Sequence, residues 1–369
     1  MTNAVLPKEE VVSQKNIKMK EKSQEDFLGY GDWVRLIGTF AVVMTHCMDF
    51  ILYNPEVYSG RRTEWWVANT IDAATRWAVP VYIMLSGAIL LAPTKKSESI
   101  QTFYKKRLTR VGLPLLFWIP FFIFFALYIT HWQTPAQLVD QLLYGEPYGH
   151  LHFVVRILGL YAITPMLRVF TAHAPREMLL WTIVVTLGMG AINSTIDGFT
   201  GSHLSAAVRF VPFIGFYLVG YYLRNFHLNT KTRFLTILAF ILSLATTVIV
   251  TGFLVTEESV NKYYPSIPYI CYDFLSVPRI IMGISAWLLL TDVCRNLKQP
   301  KWLASIAGAT FGIYLIHPLF KDYAVLKGYW LPSHGLWPNF FIFYLGVYVA
   351  SAISILLILK IPLLKRVVG

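Results

Sequence analysis

Arg35 and His46 close the two ends of the stretch RLIGTFAVVMTH, and nearly everything between them is apolar or small. His46 lies eleven positions after Arg35. In an α-helix that is almost three turns, so both side chains share one face, about 16 Å apart along the axis. A guanidinium at one end suits an anion. A neutral imidazole at the other suits general-base work. The competing reading of His46 is a packing histidine hydrogen-bonded to a neighbouring helix. Asp49 follows on the same face. It either orients the imidazole, as the carboxylate of a triad does, or is a solvated residue at the helix end.

A second group sits in FYKKRLTRVGLP, with Lys105, Lys106, Arg107 and Arg110. Arg107 and Arg110 lie one helical turn apart and can act together on one phosphate. The plainer reading is a charge signal for membrane orientation, or contact with anionic lipid. Arg76, Arg156, Arg209 and Arg279 lie inside apolar runs. Each costs at least about 2.5 kcal/mol on insertion scales unless a carboxylate, carbonyl or water meets it. Asp32, Asp49, Asp72 and Asp273 are the candidate partners. For Arg156, Arg209 and Arg279 a structural ion pair and a functional role stand equal. Ser86–Gly87 is a small pair that permits close helix contact or a bend. Tyr314 and His317 stand three apart before Pro318. They line a polar pocket, or bond locally at a proline kink.

The elements that position these groups are membrane helices. Of 369 residues, 56% are hydrophobic and 14% charged, with a mean hydropathy of +0.53. Soluble domains carry about 25% charged residues. Ten apolar runs are candidate spans, at about 34–53, 72–92, 111–130, 151–170, 178–194, 206–223, 234–254, 271–291, 305–323 and 339–360. The expected fold is all-α, a polytopic transmembrane bundle of about ten helices. With both termini cytoplasmic, the cytoplasmic segments hold 22 Lys and Arg and the outer ones 5. That bias follows the positive-inside rule. The net charge of +12 is explained the same way, so no nucleic-acid partner is expected. Outer loops 54–71, 131–150 and 255–270 are rich in Tyr and Trp, as interface anchors or as platforms for sugar rings. Cys47, Cys271 and Cys294 have no paired motif and read as free thiols. No metal site is expected. Residues 1–30 carry no cleavable signal and read as a solvated, disordered cytoplasmic tail, 31–362 as the membrane domain and 363–369 as a short tail.

Five stretches together resemble the acyltransferase 3 family of multi-spanning membrane acyltransferases. DWVRLIGTFAVVMTH resembles its first-helix signature, an arginine, ten residues and a histidine. ATRWAVPVYIMLSGAILL resembles the second helix, FYKKRLTRVGLPLLFW carries the Arg-x-x-Arg, GHLHFVVRILGLYAITPML is similar to the fourth segment and FGIYLIHPLF to the late Tyr-Leu-x-His-Pro stretch. The fourth segment departs from the pattern: His152 and Val155 stand where Trp and an aromatic are commoner. The resemblance implies transfer of an acyl group, most often acetyl, from cytoplasmic acyl-CoA to a hydroxyl of a carbohydrate, in the inner membrane of a bacterium. It implies a catalytic His46 with Arg35 as its partner, and Lys106, Arg107 and Arg110 on the CoA side. Arg76, Ser86, His150, Tyr314 and His317 are candidate pocket-lining residues. Acyl-CoA is then a substrate, with no tightly held cofactor. Its partners are the carbohydrate acceptor and the surrounding lipid. Direct transfer and an acyl-histidine intermediate both remain open. A transporter or flippase of a lipid-linked glycan is the alternative, and a sensor without catalysis a third. Transporters often show inverted repeats, and no clear repeat is visible.

Overall fold

The computed structural model describes residues 8–53, 62–92, 98–201, 204–256, 267–329 and 336–369. Among them the chain is a bundle of α-helices without strands. Nine helices are long and apolar enough to cross a membrane. Parts of two expected aromatic loops, 54–61 and 257–266, lie outside the described residues.

Helix α1 (Lys8–Leu52) is the hub, and its apolar part is Tyr30–Leu52. Residues 8–29, where composition predicts a disordered tail, continue this helix. Lys, Glu, Gln and Met are strong helix formers, so the extension has a local cause. Around α1 pack α2 (Arg62–Thr75) and α3 (Ala78–Leu90). Then come α4 (Ile100–Ile129), the short α5 (Pro135–Leu143), α6 (His152–His173) and α7 (Arg176–Thr200). The rest are α8 (Val211–Tyr222), α9 (Thr230–Thr256), α10 (Val277–Arg295), α11 (Lys301–Leu326) and α12 (Leu336–Ile358). Helices α1, α2–α3 and α11 are the most enclosed, while α9 and α12 turn most of their surface outward. Ile241, Leu242, Ile249, Phe253, Ile342 and Leu345 are exposed there, as a lipid-facing side requires.

The sixth expected crossing is shorter than predicted. Helix α8 is about 18 Å long at 1.5 Å per residue, against a hydrocarbon core of about 30 Å. It reads as a span because it is apolar all round, and the reason is burial inside the protein: every residue from Gly215 to Gly220 is enclosed. It crosses α3 at minimal distance. A Cβ on Gly87 would lie 1.9 Å from the Tyr217 carbonyl oxygen, and one on Gly220 would lie 1.8 Å from that of Met84. The Ser86–Gly87 pair therefore serves close helix contact.

Prolines shape the elements that carry the polar residues. Pro80 has no N–H to give the carbonyl of Arg76, and the helix breaks between α2 and α3 at Arg76–Trp77. Pro114 stands four residues after Arg110, and α4 takes a wider π turn over Leu108–Gly112. Pro318 removes the donor for the Tyr314 carbonyl, and the ring of His317 supplies one instead, Nδ1 to oxygen 2.7 Å.

Candidate active site

His46 and Arg35 open into different cavities. At the end of the bundle where Lys and Arg gather, a cavity of about 700 Å³ is lined by Arg35, Lys106, Arg107, Arg110 and Arg224. Its apolar wall comes from α3, where Tyr82, Leu85, Ser86 and Ile89 form one helical stripe. Towards the opposite end a cavity of about 260 Å³ is lined by His46, Asp49, Arg76, His150, His152 and Lys321. Phe153 and Tyr314 line both cavities. Their rings meet edge to face with centroids 5.7 Å apart, and Tyr82 adds a third ring 6.0 Å from Phe153.

The larger cavity is strongly basic. Arg35 pairs with Asp32 one turn earlier. Its backbone carbonyl accepts a hydrogen bond from the Tyr82 hydroxyl at 2.7 Å, and Gly38 leaves room for that ring. Arg107 lies 5.6 Å from the Tyr161 ring, and its buried Nε has no partner. Among the described residues, Glu98 is the carboxylate paired with an α4 cation. It accepts from Lys106 at 2.8 Å and from Arg168 at 3.0 Å. Partial burial opposes its charge, but those two cations outweigh burial and hold its carboxyl below the ordinary glutamate range.

The smaller cavity is built around an ion-pair chain. His46 Nδ1 lies 3.1 Å from Asp49 Oδ2. Arg76 gives Nη2 to Asp49 at 2.6 Å and Nε to Asp72 at 2.5 Å. Arg279, wholly buried, donates to the carbonyls of Ala73 at 2.8 Å and Cys271 at 3.1 Å. A cation at the C-terminal end of α2 satisfies carbonyls that the helix break leaves open, and so fixes Arg76. An ionised carboxylate only accepts, so His46 Nδ1 carries its hydrogen, and whenever the ring is neutral Nε2 is the acceptor. That is the state a general base needs.

The site residues read from sequence divide between the cavities. Arg35, Ser86, Lys106, Arg107 and Arg110 line the larger one, His46, Asp49, Arg76 and His150 the smaller, and Tyr314 both. His317 stands behind this wall. It is fully buried, with its ring centroid 5.2 Å from that of His46. Arg156 and Arg209 meet Glu146, at 3.2 and 3.0 Å, which sequence reasoning did not name as a partner. Asp273 makes no ion pair among the described residues; its carboxylate accepts from the backbone N–H of Leu275. Glu98, Arg168, Arg224, Lys321 and Phe153 were also not singled out from sequence. Tyr82 had a legible signal, four residues before Ser86 on one helix face. The three cysteines are free and buried.

The acyltransferase domain of the acyltransferase 3 family matches residues 28–360, and the chain belongs to that family. No curated protein and no solved structure matches it. The chain is thus a multi-pass membrane acyltransferase, transferring groups other than aminoacyl groups.

Proposed function

Proceeding from that membership, we propose that this enzyme moves an acyl group, acetyl in the simplest case, from cytoplasmic acyl-CoA to a hydroxyl of a carbohydrate at the outer face of a bacterial inner membrane. One observation carries the reading: a basic cavity and a histidine-lined cavity meet end to end at Phe153 and Tyr314. The Lys and Arg bias assigns the basic end to the cytoplasm. There Arg35, Lys106, Arg107 and Arg110 receive the phosphates of CoA, and the pantetheine arm follows the apolar face of α3. The thioester passes Phe153 and Tyr314 to reach His46 in the smaller cavity.

The step balances within the site. His46 Nε2 takes the proton of the acceptor hydroxyl as that oxygen attacks the thioester carbonyl carbon. The C–S bond breaks, and the imidazolium returns the proton to the departing thiolate. Asp49, held by Arg76, steadies the imidazolium through Nδ1–H. The acyl group crosses to the outer face while CoA remains inside.

The test is acetyl-CoA binding to the enzyme in nanodiscs, for wild type, Arg107→Ala with Arg110→Ala, and His46→Ala. Saturable binding lost with the arginines and kept in His46→Ala supports this division of labour. Well-folded wild type that binds none of several acyl-CoAs would remove the donor assignment. Full transfer by His46→Ala would remove the mechanism.

A further inference from the structure

Two histidines of the outer cavity have no part in that mechanism. His150 Nε2 faces the Leu315 carbonyl at 3.3 Å, and His152 Nδ1 faces that of Gly149. A carbonyl oxygen only accepts, so those nitrogens carry the hydrogens. The opposite nitrogens, His150 Nδ1 and His152 Nε2, are then bare lone pairs on neutral rings. Both atoms are buried without any partner, and both residues line the cavity beside His46. A buried acceptor without a donor is destabilising until a ligand supplies one.

The rest of the wall narrows what that ligand is. Its cations and the Tyr148 hydroxyl already face carboxylates of the protein. Arg76 serves Asp49 and Asp72, Lys321 pairs with Asp322 at 2.9 Å, and the Tyr148 hydroxyl donates to Asp322 at 2.7 Å. The Tyr314 hydroxyl donates to the His150 carbonyl. An anionic group would meet bare lone pairs and the Asp49 carboxylate, while the charges of Arg76 and Lys321 are already matched by Asp49, Asp72 and Asp322. A cationic group would meet Arg76 and Lys321. An apolar group would leave the lone pairs unpaired. What fits is a neutral ligand with several O–H donors. Phe274, 5.6 Å from the His152 ring, offers an apolar surface beside them.

We propose that His150 and His152 are specificity-determining residues that accept hydrogen bonds from hydroxyls neighbouring the one acylated, so the acceptor unit is a sugar ring with free hydroxyls flanking the reaction site. The proposal rests on the acceptor-side reading above and adds which hydroxyls are read and by which atoms.

The experiment uses the full chain in nanodiscs, with and without acetyl-CoA. The probes are the methyl glycosides of glucose, galactose, mannose and rhamnose and their monodeoxy analogues, and binding is read by saturation-transfer NMR. In wild type, at least one glycoside binds, and removing one flanking hydroxyl weakens it by about tenfold or more, as for sites built to bond a hydroxyl. His152→Phe weakens the parent sugar but not that deoxy analogue, so the discrimination falls to within about twofold. His152→Gln, whose amide oxygen accepts, retains it in part. His152 carries the test because its substitution leaves the His150–Leu315 contact in place. Equal weakening of the parent and every analogue by His152→Phe would overturn the proposal. So would failure of all four glycosides to bind protein that binds acetyl-CoA. Loss of acetyl-CoA binding with sugar discrimination intact would strike only the transfer reading.

Discussion

His46 has one ring nitrogen committed and one open, and Asp49 decides which is which. Its carboxylate faces Nδ1, and Arg76 holds it from the other side. Asp49→Asn replaces an acceptor-only group with an amide that can face the ring either way, and removes the charge that steadies the imidazolium. Transfer is expected to fall by about 10²-fold or more, in line with the loss when a triad carboxylate becomes an amide. Acetyl-CoA binding should not change, because the basic cavity shares no wall with Asp49. Single-turnover transfer measured beside equilibrium binding checks this, and full activity in the variant would make Asp49 only a structural partner of Arg76. Glu98 gives a separate prediction at the other cavity. Its carboxyl is held below its usual value near 4.5 in the folded protein. Its contribution to stability is therefore full above that value and is lost as the pH falls through the lower, folded one. Glu98→Gln should flatten the acid limb of the unfolding midpoint against pH and leave the neutral range parallel to wild type. Identical acid limbs would show that the Lys106 and Arg168 contacts do not stabilise the carboxylate.

At the scale of elements, the site depends on helices that break or touch where ordinary ones do not. Gly87 and Gly220 let α3 and α8 approach until the backbone of one meets the Cα of the other. An added methyl at either position meets backbone oxygen, which cannot rotate away as a side chain does. Gly220→Ala should cost about 3 kcal/mol or more, the upper part of the range for overpacking. It would appear as a lower unfolding midpoint in detergent, with donor affinity falling as Ser86 shifts. A midpoint within error of wild type would mean the crossing relaxes freely. What was legible beforehand follows from the range of the interactions. Arg35, His46 and Asp49 share one helix, so 3.6-residue periodicity alone puts them on one face. Arg107 and Arg110 were legible for the same reason. Arg156 and Arg209 were not matched to Glu146 because that carboxylate sits in the segment after α5, and no local rule brings it there. Helix α8 looked like a full crossing because hydropathy registers apolar surface and does not tell lipid from protein as its neighbour. The helix break at Arg76 was in principle readable from Pro80, four residues on. Its consequence, Arg279 reaching in from α10 to bond Ala73, was not, because it joins residues far apart in the chain.

For the whole molecule, the proposed function requires that a thioester on one side meet a hydroxyl on the other without meeting water first. The basic and histidine-lined cavities together reach from the Arg35 end of α1 past His46, and among the described residues only Phe153 and Tyr314 belong to both walls. Tyr314 is tied in place, with its hydroxyl on the His150 carbonyl and its own carbonyl on His317. Phe153 has no polar tether. Among the described aromatic residues its ring contacts are with Tyr82 and Tyr314. It is therefore the side chain that can swing to join the cavities when both substrates are present. Truncating it should leave them joined at all times. In Phe153→Ala, water reaching from the outer cavity can use His46 as its base, and acetyl-CoA is hydrolysed without any acceptor. An increase of about 10²-fold in acceptor-independent release of free CoA is expected, the lower end of what a positioned general base supplies. Adding His46→Ala should abolish the increase, because the leak uses the same base as the transfer. The assay is thiol release from acetyl-CoA by the enzyme in nanodiscs, with acetyl-CoA affinity measured in parallel. A variant that binds the donor as wild type does and still hydrolyses none of it would mean that Phe153 is not what separates the thioester from His46. The barrier would then lie with Tyr314, whose two backbone ties make it a wall that opens only when α11 itself moves.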